Sequence, residues 1–225
     1  MNRILTAALL LAVSASVAGA AGAGSAKTNF LAVQLTSSSA DLAADVPGFN
    51  GSTFVQSGFA AAYNHPEWGG KLEYWSQMGP EYAFNVSGGI GTFSEEDKPG
   101  TQAPSGSGSF KYTQSSWNIR VGGDRMLSVG DKTYIFFGPG IDYWSGNAKF
   151  QDGTTGGLDY KTKNVSRFSL DARLGGHMMV GPTWGVTAQI GTKIGHASVD
   201  EGGAKTSWWP SSMDGAVGLV FKLGS

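Results

Sequence analysis

The chain of 225 residues contains no cysteine. Disulfide scaffolds, thiol catalysis and a lipid anchor on a cysteine are excluded at once. Charge is scarce as well. Asp, Glu, Lys and Arg make up 15% of the residues, against about 25% in ordinary soluble domains. The formal net charge is −1, and it becomes −2 if Arg3 is removed with the N-terminus. Nothing in that balance favours a polyanion, so no nucleic-acid partner is expected. Beyond the N-terminal region there is no helix-period segment of any length and no run apolar enough to be a transmembrane helix. Histidine is limited to His65, His177 and His196, whose spacing fits no metal motif. The expectation is a protein without metal or cofactor.

What the chain does have begins with a secretory leader. Arg3 supplies a positive start, residues 4–18 (ILTAALLLAVSASVA) form an apolar stretch, and small-residue cleavage sites follow at 20, 23 and 26. The run is shorter than the ~20 apolar residues of a spanning helix. Residues 1–26 are therefore read as a signal peptide and 27–225 as a single domain that leaves the cytoplasm.

Glycine is abundant, at 35 residues, and the rest is alternation. Eight segments alternate apolar and polar residues: 29–40, 68–76, 82–93, 110–127, 132–145, 160–180, 184–198 and 207–223. The connections between them alternate too. Long ones (41–67, 94–109, 146–159, 199–206) take turns with short ones (77–81, 128–131, 181–183). Short turns at one end and long loops at the other predict an up-and-down meander.

The stretch RFSLDARLGGHMMV, residues 167–180, poses the main question. Phe168, Leu170, Ala172, Leu174, Met178 and Val180 share one face of a strand. Arg167, Ser169, Asp171, Arg173, Gly175, His177 and Met179 share the other. A soluble barrel would turn the apolar face inward, and a membrane barrel would turn it out. The polar parity decides. Across the eight segments it is rich in Gly, Ala, Ser, Thr and Asn, including Asn85, Gly89, Gly91, Gly122, Gly138, Gly140, Gly175 and Gly191. A water-facing parity would be thick with Lys and Glu. A crowded eight-stranded interior wants small residues and a few long ones.

The charges follow the same parity. Lys71, Glu73, Arg120, Asp142, Arg167, Asp171, Arg173, Lys193, Asp214 and Lys222 all fall on it, with both signs present. In lipid, one Arg or Lys near the midplane would cost about 2–4 kcal/mol. Facing one another in a lumen they can be paired, which is the condition for tolerating buried charge. Aromatic residues gather at the ends of the apolar parity: Tyr74, Tyr82 and Trp184 beside the short turns; Trp68, Trp117, Tyr143 and one of Trp208 or Trp209 toward the long loops. Two such bands are expected to lie at the membrane interfaces.

The leader, the segments LEYWSQMGPEYAFNVSGGIGTF (72–93) and YIFFGPGIDYW (134–144), and the apolar final segment GAVGLVFKL resemble the small outer-membrane β-barrel family of the OmpA/OmpX type. The likeness spans the whole mature chain and is architectural. It departs from the family's usual aromatic C-terminal residue, since this chain ends VFKLGS. The resemblance implies an all-β, eight-stranded antiparallel transmembrane barrel in a Gram-negative-type outer membrane. It also implies both termini in the periplasm, a side-chain-filled lumen and no general diffusion pore. Outer-membrane lipid is the expected surrounding partner, an extracellular partner would meet the long loops, and the expected state is a monomer. The implied function is non-enzymatic, in envelope structure or in loop-mediated binding and adhesion.

Other chemistry is weakly signalled. The glycine runs SGGIG (87–91) and DGTTGG (152–157) open no helix and so lack the phosphate-binding mechanism. Two Asn-x-Ser triplets, at Asn85 and Asn164, lie in strands. GHASVDE (195–201) puts His196 and Ser198 on one face with Asp200 and Glu201 nearby. That arrangement is similar to lipid A deacylase barrels, in which His is the base and Ser the nucleophile. The plainer reading is a polar strand end entering a loop. A secreted soluble barrel around an apolar ligand is the remaining alternative.

Overall fold

The computed structural model describes residues 28–40, 66–97, 110–152, 160–161, 165–201, 204–209 and 211–223. The expected leader, His65 and much of the long connections lie outside these residues. The strands are β1 (Asn29–Ala40), β2 (Pro66–Gln77), β3 (Tyr82–Asp97), β4 (Phe110–Val129), β5 (Thr133–Asp152), β6 (Tyr160–Lys161), β7 (Val165–Met179), β8 (Trp184–Glu201), β9 (Ala204–Trp208) and β10 (Ser211–Leu223). β6 and β9 are short pieces attached to the edges of β5 and β8. The other eight form the barrel. Each pairs antiparallel with the next, and β10 closes the ring by pairing with both β8 and β1.

The register fixes the shape. From Arg125, paired residues run through Phe137, Leu174, Ile190, Gly215, Ser37, Trp68 and Thr92 to Ser115. One circuit therefore returns to β4 displaced from 125 to 115, a stagger of 10 residues. Eight strands with that stagger tilt by about 40° and give a backbone radius of about 8 Å. Such a barrel is just wide enough to be filled by its own side chains.

The facing follows the alternation. Along β7, Arg167, Ser169, Asp171, Arg173 and His177 are buried, while Phe168, Leu170, Ala172, Leu174 and Met178 are exposed. Leu170 is 62% exposed and Arg173 7%. Val33, Leu35, Ile90, Ile141, Ile190, Ile194, Val217 and Leu219 form the same apolar outer surface on other strands. In water, burying the charges and exposing the leucines would reverse the hydrophobic effect. In lipid it is the required arrangement.

The three short turns lie at one end. Met78 N donates to Tyr82 O (2.8 Å), and Val180 N to Trp184 O (3.0 Å). In the third, Gly130 has φ of 74°, a conformation that favours glycine. At the other end β3, β4 and β5 run to 16, 20 and 20 residues, where about 9–11 suffice to cross a membrane. Sequence alternation starts the segment of β4 at Phe110, as observed, but ends those of β3 and β5 at 93 and 145. Pairing in fact continues through Glu96↔Lys111 and Lys111↔Gln151. The reason is physical: beyond the bilayer neither face meets lipid, so the backbone ladder persists without the apolar parity. The expected sixth segment is divided into β6 and β7, and the eighth into β9 and β10. Pro210 lies between the latter two and has no amide proton to give to a ladder.

Candidate functional site

The lumen is built in levels. At the turn end it is apolar. Phe30, Trp75, Phe136, Met126, Met179, Ala83 and Val220 form one buried cluster with Tyr134 against it. His177 sits inside this cluster, fully buried, with ring contacts to Phe30, Trp75 and Phe136. The sequence parity puts His177 among the charges. The inward side chains in contact with its ring are aromatic instead: Phe30, Trp75 and Phe136.

Above the plug the lumen is ionic. Arg173, on β7, reaches across to Glu73 on β2 and to Asp124 on β4. Glu73 also takes Lys71 Nζ at 2.9 Å and Gln189 Nε2 at 2.9 Å. Asp124 accepts from Trp75 Nε1 and from Asn85 Nδ2, each at 2.9 Å. Arg120 donates through Nε to Asp171 at 2.6 Å and through Nη1 to Asn85. Nearer the loops, Lys193 lies 3.3 Å from Asp142 and 3.9 Å from Asp214. Asn118 Nδ2 adds a bond to Asp142 at 2.9 Å. Arg167 donates to Ser212 at 3.3 Å and stands over the Trp144 ring. The signs balance: Lys71, Arg120, Arg167, Arg173 and Lys193 against Glu73, Asp124, Asp142, Asp171 and Asp214. A balanced, hydrogen-bonded set is what a low-dielectric interior tolerates.

Lys222 is set apart from this set. It lies on the inner parity, paired opposite Phe30, and its amide bonds Thr183 O in the last turn. It takes part in none of the ion pairs just described. Asp124, by contrast, belongs to the network although the sequence reading omits it. It shares the parity of Arg120 and Gly122, and that signal is enough to find it. Gln34 and Gln189, bonded to each other at 3.0 Å, are legible in the same way. The inward Phe30, Phe136 and Met126 are not, because an apolar residue on a polar parity gives no periodic signal; Met179 is found only through the parity of its charged neighbours on β7.

Glycine makes the crowding possible. A Cβ on Gly140 would stand 2.4 Å from both Arg120 Nη2 and Asp171 Oδ1. A Cβ on Gly138 would stand 2.0 Å from the Gly123 carbonyl oxygen. Among the described residues, no group of His, Asp and Glu could hold a metal ion.

On the outer surface, Trp68, Tyr82, Tyr143 and Trp184 are exposed, and Trp117 is half-exposed with its ring 5.5 Å from Tyr143. Tyr74 departs from the expected band. It has the outward parity but is 3% exposed, flanked directly by Leu31 and Val86 on the neighbouring strands, so it is not an exposed interface residue. On the loop side the rings continue from Tyr143 to its partner Phe168, to His196 opposite Phe168, and to Trp209, 5.3 Å from His196. The side chain of Trp208 lies outside the described residues.

His196 is thus one ring in an aromatic row. Ser198 Oγ lies 3.5 Å from Ser166 Oγ, and among the described residues His196 and Ser198 share no hydrogen bond. The side chains of Asp200 and Glu201 lie outside the described residues.

No family model matches the chain, and no curated protein matches it. Solved structures do. The outer membrane protein OprG from Pseudomonas aeruginosa is 10% identical, with a TM-score of 0.50, covering 89% of this chain and 97% of that one. Ail, the attachment invasion locus protein of Yersinia pestis, is 11% identical, with a TM-score of 0.49, covering 88% and 100%. A major outer membrane protein from Thermus thermophilus is 12% identical, with a TM-score of 0.49, covering 87% and 99%. The chain is a closed, eight-stranded, all-antiparallel β-barrel with the fold of the small outer-membrane barrels.

Proposed function

We propose that this chain is a monomeric, non-enzymatic barrel integral to a bacterial outer membrane. Its lumen is sealed against bulk diffusion, its termini lie on the periplasmic side, and its working surface is the loop end. The observation that carries this reading is the lumen. A layer of buried rings at the turn end and a charge-balanced network above it fill the lumen with side chains, which supports a barrel closed to bulk diffusion. The outer surface supports the membrane part. Tyr82 pairs with Arg125, eight residues from Trp117 along β4. The two aromatic levels are then roughly 20 Å apart, close to the ~25 Å apolar band of such barrels.

The loop end offers a site for a partner. Pairing of β2 with β3 ends at Trp68↔Thr92, whereas β3 stays paired with β4 out to Asp97↔Phe110. The backbone of 93–97 therefore has no partner strand on the β2 side among the described residues. A strand edge unpaired in this way is the kind that can accept an added strand. A filled barrel that projects beyond its membrane is suited to envelope structure or to binding outside the cell.

The test is fractionation followed by planar-bilayer recording at neutral pH. The mature protein should pellet with outer membranes, need detergent for extraction, migrate differently when heated, and show no steady conductance. Recovery as a folded, detergent-free periplasmic protein, or an open channel of porin size, would overturn the reading.

A further inference from the structure

The rings that seal the turn end share one polar neighbour. The ring of His177 lies 5.0 Å from that of Phe30, 4.7 Å from Trp75 and 4.9 Å from Phe136. Its Nδ1 is 3.0 Å from Thr187 Oγ1, and Nε2 has no hydrogen-bond partner among the described residues. Two of the same rings are already occupied by a cation. The Arg173 guanidinium stands 5.4 Å over Trp75 and 5.2 Å over Phe136. Arg173 and His177 are four residues apart on one face of β7, so Trp75 and Phe136 are wedged between them.

The other groups facing His177 bring no free negative charge. From β2 the acid is Glu73, held by Arg173 and Lys71. From β4 it is Asp124, held by Arg173, Trp75 and Asn85. β1 presents Phe30, β5 presents Phe136 and Tyr134, β8 presents Thr187 and β10 presents Val220. Lys222 is paired directly beside Phe30 on β10. A neutral imidazole fits this site. An imidazolium would face Arg173 across two shared rings and carry an N–H with no acceptor, a buried charge without compensation.

We propose that His177 is an acid-operated latch. Neutral, it completes the aromatic plug. Protonated, it parts the plug and admits water and small inorganic ions between the turn-side mouth and the charged chamber above. This rests on the sealed-lumen reading, which describes the neutral state. An opened, hydrated plug solvates the imidazolium and the closed one does not, so added protons move the population toward the open form. One proton drives the change. The open fraction can therefore rise no more steeply than about tenfold per pH unit.

The experiment uses the full mature chain in planar bilayers in potassium chloride, with the pH stepped from about 7.5 to about 4.5, across the ordinary histidine range. Wild type should be silent at the start and show small, brief openings as the pH falls. His177→Phe keeps a ring in place and removes the proton site, and it should stay silent throughout while still migrating as a folded barrel. Identical acid-induced openings in His177→Phe would overturn the latch and point to the carboxylates instead.

A second measurement does not depend on that variant folding. In a His65→Gln, His196→Gln protein the remaining histidine can be followed by nitrogen NMR. Its imidazole signals should change over the pH range in which openings appear, and a ring that stays neutral while the channel opens would overturn the proposal. Silence of wild type at both pH values would overturn the latch and leave the sealed barrel standing. A large conductance already present at neutral pH would overturn both.

Discussion

Arg173 and Asp124, 49 residues apart in sequence, meet inside the barrel in a two-point contact. Nε donates to Oδ1 at 3.2 Å and Nη2 donates to Oδ2. The same guanidinium holds Glu73 through Nη1. One side chain thus ties β7 to β4 and β2 across the lumen, and two acids depend on it.

That dependence predicts an asymmetry. Arg173→Leu should destabilise the barrel by about 3–5 kcal/mol, because it leaves buried carboxylates unpaired. Adding Asp124→Leu and Glu73→Gln should recover part of the loss, since fewer uncompensated charges remain. Urea unfolding in lipid, followed by tryptophan fluorescence, measures each step of the cycle. Fully additive losses would mean that the three side chains do not act as a unit.

Leu170 and Arg173 share β7 but not a medium. Leu170→Arg should cost about 2–4 kcal/mol near the bilayer midplane, and deleting lumen acids should not rescue it. The absence of cysteine makes a direct check simple. A spin label on a cysteine introduced at 170 should be relaxed by a lipid-phase quencher, and one at 173 should not. The opposite result would turn every strand inside out and restore the soluble-barrel alternative.

The parity that predicts these outcomes is legible because lipid and lumen impose opposite demands on neighbouring residues. Arg120, Asp142, Asp171 and Lys193 can be placed from sequence alone for that reason. Their partners cannot. Whether Arg120 takes its direct neighbour Asp142 or the diagonal Asp171 depends on side-chain reach, and it takes Asp171. Most of the apolar plug is hidden because Phe136 and Phe137 look alike in sequence while one faces in and the other out. The strand extensions of β3 and β5 are hidden because they pair beyond the region where lipid writes a pattern.

The His-x-Ser pair carries a separate expectation. His196 is in ring contact with Trp209 at the loop-side interface, and Ser198 Oγ is near Ser166. Outer membranes from cells expressing Ser198→Ala should carry the same acyl-chain content in their lipid A as those expressing wild type, as read by mass spectrometry of extracted lipid. A chain lost with wild type and kept with Ser198→Ala would establish a hydrolase.

The last prediction separates two kinds of glycine in the wall. Gly138 points inward, where a Cβ would press within 2.0 Å of the Gly123 carbonyl and 2.8 Å of Asp124 Cα and Oδ1. Backbone cannot step aside as a side-chain end can, so β4 and β5 would have to part beside the Arg173–Asp124 contact. Gly138→Ala should cost about 1–3 kcal/mol, the range of overpacking in a filled interior. Among the described residues, Gly70 and Gly123 have no heavy atom within 4 Å of an added Cβ, so the same substitution there meets open space. Gly70→Ala and Gly123→Ala should be neutral or stabilise the barrel by up to about 1 kcal/mol, because alanine restricts the unfolded chain. All three sites lie within strands, so differences in strand propensity cancel. The temperature at which each barrel loses its compact gel migration ranks them directly. Gly138→Ala should shift furthest downward, and equal shifts at all three sites would mean that the lumen at this level is not filled.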